Sequence, residues 1–172
     1  MTMLRVDLVR LEREGVLRVE GAINPYDPLF EESGMRFASP LHVRIEATIA
    51  GSGEVVIRGS VQASLVQECR RCLVELNSPF DTELTLVFAP ADELGEDPAG
   101  DLYPLGASAT ELDLRGPIRE ELVLTAPSYA FCQEDCRGLC SGCGTNLNEE
   151  NCQCSGEDAD PHWDVLRTLG SE

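Results

Sequence analysis

The residues best equipped for chemistry are eight cysteines, and they fall in a pattern. Two form Cys69-Arg70-Arg71-Cys72. The rest are Cys132-x3-Cys136, Cys140-Ser141-Gly142-Cys143-Gly144 and Cys152-x-Cys154. A thiolate is a soft metal ligand as well as a nucleophile. In a Cys-x2-Cys turn both sulfurs come to one side and can grip one cation. Gly144, directly after the second cysteine, permits a positive φ and lets backbone N–H groups turn towards the sulfurs. One such pair is a weak signal. Two of them, with two further cysteine pairs, are strong, and eight sulfurs match two tetrahedral four-thiolate sites. Disulfides are the competing reading, but disulfide scaffolds are secreted and carry cysteine throughout, and these spacings favour ligation. The expected cofactor is zinc, as two ions. Iron in a rubredoxin-like site is the physical competitor, because tetrahedral four-sulfur geometry suits both metals.

The spacing leaves two pairings open. In the favoured one, Cys69, Cys72, Cys132 and Cys136 share one ion, and Cys140, Cys143, Cys152 and Cys154 share the other; only one long loop must close. In the second, the two Cys-x2-Cys turns pair as in a zinc ribbon and leave Cys132, Cys136, Cys152 and Cys154 together. A single site with spare thiols is a third arrangement. A closed four-thiolate site has no open position for substrate, so the metal is expected to be structural. No Ser/His/Asp arrangement, P-loop or dinucleotide fingerprint is present, and the chain is expected to be no enzyme. His42 falls on the polar face of a strand pattern and reads as solvated. His162, between Pro161 and Trp163, could replace a thiolate but is not favoured as a ligand. Glu120 and Glu121 are ordinary surface in a chain with 31 acidic residues.

Charge narrows the partners. The formal net charge is -18, and all 13 basic residues are arginine. An acidic surface repels phosphate backbones, which disfavours broad non-specific nucleic-acid binding. Metal does not reverse this, since four thiolates and one divalent cation leave about -2. Arg70 and Arg71 can compensate the thiolates locally. Alternatively, with Arg137, Arg115 and Arg119, they form a basic island that touches one phosphate-rich or acidic partner.

The elements that must position these residues read as an α+β fold. The expectation is an antiparallel β-rich body with one or two short helices over 1-130, and a zinc-stapled cysteine lobe over 131-172 packed on it. Met3–Leu11 and Val16–Ile23 read as two strands, and Asn24–Pro40, with three prolines, as a loop. Leu41, Val43, Ile45, Ala47 and Ile49 alternate with polar residues, a half-buried strand. Gly51-Ser52-Gly53 turns the chain into a returning strand that puts Val55, Ile57, Val61, Ala63 and Leu65 on one face and runs into Cys69. Leu73–Phe88 alternates again, with a bend or bulge expected at Asn77-Ser78-Pro79. Ala89–Gly100 reads as an acidic loop and Leu102–Leu105 as a short strand. Gly116-Pro117 opens a helix whose face carries Ile118 and Leu122, and Pro127 ends it. Trp163, Leu166 and Leu169 have helical spacing in the tail. The N-terminus lacks a long apolar run, and no stretch approaches the ~20 apolar residues of a membrane helix, so a cytoplasmic protein is expected.

With these residues in view, the sequence resembles the YceD family of large ribosomal RNA subunit accumulation proteins. The likeness is carried by Cys69-Arg70-Arg71-Cys72-Leu73, Asp113-Leu114 and Ile118-Arg119-Glu120-Glu121-Leu122. It continues through Cys132-x3-Cys136-Arg137-Gly138-Leu139-Cys140-x2-Cys143-Gly144-x2-Leu147-Asn148 and Cys152-x-Cys154 to Asp160-Pro161, Trp163 and Leu166. It departs at Ser141, where many relatives carry Pro, and at Gly116, where a Thr cap is usual. The resemblance implies a role in accumulation or processing of 23S ribosomal RNA and in large-subunit assembly. Some relatives lack most of these cysteines, which again makes metal structural. The implied partners are ribosomal RNA, large-subunit ribosomal proteins or assembly factors, with no membrane and no small-molecule substrate. The acidic charge favours a protein-mediated route, because it complements basic ribosomal proteins. Two other readings stand beside this one: a rubredoxin-like redox protein, and an acidic module that only holds basic proteins.

Overall fold

The computed structural model describes residues 4–51, 53–91 and 102–154. The fold is α+β and mostly strand. It divides into two compact units, one built from the chain up to Gln67 together with Asn77–Ser128, the other from Glu68–Leu76 together with the chain from Tyr129 onward.

The first unit is organised by a sheet. Strand β2 (Val16–Ile23) pairs antiparallel with β4 (Leu41–Ile49), and β4 pairs antiparallel with β5 (Val55–Glu68). Next to β5 lies β6 (Glu75–Pro90), and β7 (Leu102–Leu105) follows at the far side. The short β3 (Arg36–Phe37) pairs with β5, outside this path. Leu41, Val43, Ile45 and Ala47 are buried along β4, facing the core as their alternation requires, and Val55, Ile57, Val61 and Leu65 do the same on β5. Gly59 on β5 sits opposite Ile45, and any Cβ there would run into the Arg44 carbonyl oxygen. The β6–β7 pair is parallel, a correction to the fully antiparallel expectation. A parallel partner must come from a crossover rather than a hairpin, and nothing in the Leu102–Leu105 pattern encodes its direction.

A two-stranded ribbon joins β1 (Arg5–Asp7) to β8 (Glu111–Asp113), with Val6 opposite Leu112. The N-terminal strand expected over Met3–Leu11 is therefore short. Leu8–Glu14 instead forms helix α1. Asp7 caps it by accepting from the Arg10 N–H at 2.8 Å, and Gly15 closes it in the left-handed region with φ 77°. Leu8 and Leu11 are buried at helical i, i+3 spacing, which outweighs the strand-like alternation of Val6 and Leu8.

Three further expectations need correction. Asn24–Pro40 is not all loop: Pro28–Ser33 forms a 3-10 helix capped by Asp27, and β3 follows. Strand β6 runs through Asn77-Ser78-Pro79, where a bend or bulge is expected, so the chain stays in the sheet there. Proline is tolerated because β7 joins β6 only from Val87, so this part of the strand has one described neighbour and can spare an N–H. The second helix, α2, spans Arg115–Thr125, so its N-cap is Leu114 and not Gly116. Leu114 offers no side-chain cap; Asp113 Oδ1 accepts from the Arg115 N–H at 3.0 Å instead. Ile118 and Leu122 are fully buried on α2 as expected. The helix stops at Ala126, which is extended because proline follows. Ala89 and Pro90 belong to β6, Ala91 follows in a turn with its N–H donating to the Leu105 carbonyl at 3.0 Å, and residues 92 to 100 of the expected acidic loop lie outside the described residues. The same holds for His162 and the helical spacing of Trp163, Leu166 and Leu169.

Candidate metal centres

The second unit begins where β5 ends. Cys69-Arg70-Arg71-Cys72 fills the turn between β5 and β6, and its backbone closes on itself: the Leu73 N–H donates to the Cys69 carbonyl at 2.9 Å and the Cys69 N–H to the Val74 carbonyl at 2.8 Å. Cys140-Ser141-Gly142-Cys143 repeats the same bonds. The Gly144 N–H donates to the Cys140 carbonyl at 2.9 Å and the Cys140 N–H to the Thr145 carbonyl at 2.8 Å. The residue after the second cysteine is left-handed in both turns, Gly144 at φ 74° and Leu73 at φ 59°. The positive φ expected from the glycine is present, and its twin in the first turn is held by a residue with a Cβ.

Each turn receives two more sulfurs. Cys69, Cys72, Cys132 and Cys136 gather into one group, Cys140, Cys143, Cys152 and Cys154 into another, and within each group all four sulfurs lie within 4.8 Å of one another. This is the first of the two pairings that the spacing allows. Cys69 and Cys136 Sγ are 3.7 Å apart, Cys72 and Cys132 Sγ 3.6 Å, and Cys140 and Cys152 Sγ 3.2 Å. All eight thiols are free. A disulfide needs sulfurs at about 2.05 Å. Four sulfurs around one ion at about 2.3 Å stand about 3.8 Å apart along a tetrahedral edge, so the two pairs in the first group match such an edge and the Cys140–Cys152 pair is shorter than one.

The two groups differ in shelter. Cys69, Cys72 and Cys136 are buried, with Leu76 and Leu139 packed against them, and only Cys132 is exposed. In the second group Cys143 and Cys154 are exposed and the other two half-buried. Fixed donors prepare several sulfurs for the charged form. Burial pushes the Cys69 thiol up, but the N–H groups of Cys72, Cys132 and Arg71 together bring it down to about 6. The Cys143 N–H does the same for Cys140, assisted by Cys152 and the Gly142 N–H, also to about 6. Protons then crowd onto the neighbours. Desolvation of its sulfur by the packed cluster and the adjoining thiols push Cys132 up to about 12, and Cys143 and Cys140 push Cys154 up to about 12. A thiol that resists ionisation among its own kind gives up its proton once a cation occupies the centre.

Asn148 is a positioning residue that the spacing alone did not single out. Its Nδ2 donates to Cys136 Sγ at 3.3 Å, and its Oδ1 accepts from the Arg137 N–H at 2.8 Å. The sequence signal for it is its place in the Leu147-Asn148 pair that carries the family likeness. Gly138, at φ 75°, lets the chain pass close to Arg71, whose carbonyl oxygen accepts from the Leu139 N–H at 3.1 Å.

The alternative reading joins five arginines in a basic island, and these are shared between the two units. Arg70, Arg71 and Arg137 belong to the second unit and Arg115 and Arg119 to the first. Arg115 pairs with Asp27 at 2.6 Å and Arg119 Nε donates to the Leu29 carbonyl at 2.8 Å, so both fasten α2 to the 3-10 helix. Arg71 Nη1 donates to the carbonyls of Cys136 and Glu134, at 3.0 and 3.2 Å, and not to a thiolate. Arg70 and Arg71 also lie over aromatic rings, Tyr129 at 5.1 Å and Phe131 at 4.8 Å from guanidinium carbon to ring centroid. His42 is exposed on β4. No helix among the described residues is long and apolar enough to cross a membrane.

Fold and site define a class: an α+β protein with a sheet-based unit and a cysteine unit carrying two four-sulfur groups that could hold metal ions. Comparison with known proteins makes this specific. The family model described as "Large ribosomal RNA subunit accumulation protein YceD" matches residues 57–170, and the chain belongs to this family. It is 34% identical over 134 residues to an uncharacterized protein of Mycobacterium tuberculosis, covering 77% of this chain and 62% of that protein. An uncharacterized Mycobacterium leprae protein is 31% identical over 62% of this chain and 48% of its own length. The chloroplastic large ribosomal RNA subunit accumulation protein YCED homolog 1 of Arabidopsis thaliana is 36% identical over 59 residues, 34% of this chain and 18% of its own. The chain thus spans about three fifths of the length of the first of these relatives. No solved structure matches.

Proposed function

We propose that this chain is a non-enzymatic, zinc-binding accessory factor for the accumulation of 23S ribosomal RNA and the assembly of the large ribosomal subunit, acting in the cytoplasm. The observation that carries this reading is that the family match over residues 57–170 includes all eight cysteines. Cys69, Cys72, Cys132 and Cys136 would hold one ion, Cys140, Cys143, Cys152 and Cys154 the other. Four thiolates per ion fill the coordination sphere, so the metal would supply folding energy and no reactive position. Large-subunit ribosomal proteins or assembly factors are the main partners in this reading. They are basic, and a chain of net charge -18 complements them.

Depletion in cells is the test of the role. It is expected to lower mature 23S relative to 16S RNA, with recovery on re-expression; an unchanged ratio rejects the ribosomal role. Metal analysis of the natively purified, reduced protein tests the cofactor. Colourless protein with about two zinc ions per chain is expected from two closed four-thiolate sites. Iron with visible thiolate charge-transfer bands would replace this reading with a rubredoxin-like one.

A further inference from the structure

The composition argues against a general RNA clamp, yet the cysteine unit exposes an unusual surface. Tyr129 is 55% and Phe131 42% exposed. Their rings meet edge to face with centroids 5.7 Å apart, each with an arginine over it. The arrangement is held by backbone. Ala130 forms a parallel bridge with Cys69, and its carbonyl accepts from the Arg70 N–H at 2.9 Å. Tyr129 and Phe131 flank Ala130, and in extended chain residues two apart share a face. The Cys69–Cys72 turn sets Arg70 and Arg71 against that face. Neither arginine has a carboxylate partner among the described residues, although the chain carries 31 acidic side chains. Arg71 spends one nitrogen on carbonyls, which orients the guanidinium without neutralising it.

We infer that the Arg70–Tyr129 and Arg71–Phe131 pairs are a stacking platform for unpaired bases of single-stranded RNA. This rests on the large-subunit RNA reading above. Exposed rings and planar guanidinium groups match the flat faces of bases, and such stacking tolerates any sequence. An acidic peptide would use the two charges and leave the exposed ring surface and the outer guanidinium planes without a flat partner. A duplex hides its base faces and presents about one charge per 1.7 Å to a strongly acidic protein. A metal-loaded first site carries about -2 next to the same arginines, so stacking supplies the affinity and phosphate attraction adds little. The RNA contact is therefore local, a few nucleotides in a loop or end. This is how a chain of net charge -18 can touch RNA directly.

The test uses the full, metal-loaded chain and a fluorescein-labelled 12-nucleotide mixed-sequence RNA, single-stranded or annealed to its complement. The single strand is expected to bind more tightly than the duplex, with a shallow salt slope of about -1.4, the value for two phosphates. Tyr129→Ala with Phe131→Ala should weaken binding about ten-fold or more, in line with the loss of base–aromatic stacking. Tyr129→Phe with Phe131→Tyr should restore it. Among the described residues the Arg70 guanidinium contacts the Tyr129 ring and no carboxylate, so Arg70→Ala should weaken binding and flatten the salt slope. Unchanged metal content and circular dichroism separate these effects from unfolding. Equal binding of duplex and single strand would overturn the platform, as would indifference to both the ring and Arg70 variants. So would nuclease-insensitive capture of a ribosomal protein that the ring variant abolishes while single-stranded RNA does not bind. In depleted cells the ring variant should fail to restore the 23S:16S ratio. Full restoration by that variant sinks the platform and spares the ribosomal role, whereas a ratio unaffected by depletion sinks the ribosomal role and leaves the platform to the binding data.

Discussion

Leu73 holds φ at 59°, in the left-handed region that costs a side-chain-bearing residue about 1–2 kcal/mol. Its side chain is 58% exposed, so packing returns little of that cost. The hydrogen bonds of the Cys69–Cys72 turn impose the conformation, because the Leu73 N–H must reach the Cys69 carbonyl. Leu73→Gly should therefore be neutral or stabilising by up to about 1 kcal/mol, after the added freedom of the unfolded chain is deducted. Leu73→Val should destabilise by about 1–2 kcal/mol, because β-branching makes a positive φ worse. Thermal melts of the metal-loaded protein distinguish the two, and a destabilised glycine variant would show that the leucine side chain has a packing role. The thiols predict a pH dependence. In the first group Cys72 and Cys132 are pushed up, in the second Cys152 and Cys154. Two thiols per group thus keep their protons at neutral pH until a cation displaces them. Zinc affinity should rise with pH by at least about 100-fold per unit per site, and metal should be lost as pH falls. Proton release measured during zinc titration checks this, and a pH-independent affinity would contradict it.

Secondary structure was legible wherever one physical period dominated. The alternation of Leu41, Val43, Ile45 and Ala47 could only be a half-buried strand, and β4 is that strand. Ile118 and Leu122 specify the buried face of α2. Where two periods overlapped, the pattern misled. Val6 and Leu8 alternate, but Leu8 and Leu11 share a helical face, and the caps Asp7 and Gly15 select the helix. Pro79 reads as a bend or bulge because a missing N–H matters in a central strand, and β6 nevertheless continues through it where it has one described neighbour. The sulfur grouping was partly legible, since local spacing proposes pairs and only the folded chain chooses between them. The Arg70–Tyr129 and Arg71–Phe131 stacks were not legible, because Ala130 reaches Cys69 through a bridge of long sequence separation. Gly59 shows how tightly two elements can depend on one residue. Its missing Cβ leaves room for the Arg44 carbonyl and Ile45 across the β4–β5 pair. Gly59→Ala should cost about 3 kcal/mol or more, at the upper end of overpacking effects. Alanine at exposed Gly51, which has open space around it, should change little. Equal melting of the two variants would mean that the strands separate without penalty.

On the scale of the whole molecule, the two sulfur groups close very different lengths of chain. Cys69 and Cys136 are 67 positions apart, Cys140 and Cys152 only 12. Closing the longer span restricts the unfolded chain by about 1.5 kcal/mol more, from the logarithmic dependence on loop length. Burial acts in the same direction. Three of the four sulfurs in the first group are shielded, whereas Cys143 and Cys154 stand open to a competing ligand. A chelator should therefore strip the zinc-loaded chain in two steps. The second group should empty first, with a small fall in melting temperature and new protease cleavage confined to the region after Gly138. The first group should empty later and carry most of the loss in stability, because its ion, unlike the other, adds to the Cys69–Ala130 bridge and the Arg71 hydrogen bonds in connecting Glu68–Leu76 to the chain beyond Tyr129. Cys143→Ser should abolish the early step and leave the late one, and Cys69→Ser should do the reverse with a much lower melting temperature. Metal release followed with a colorimetric chelator, alongside melting curves, reads both quantities. Loss of both ions in one step, or a Cys143→Ser variant as unstable as Cys69→Ser, would show that the two groups form one cooperative cage and not a long-range clasp beside a local one.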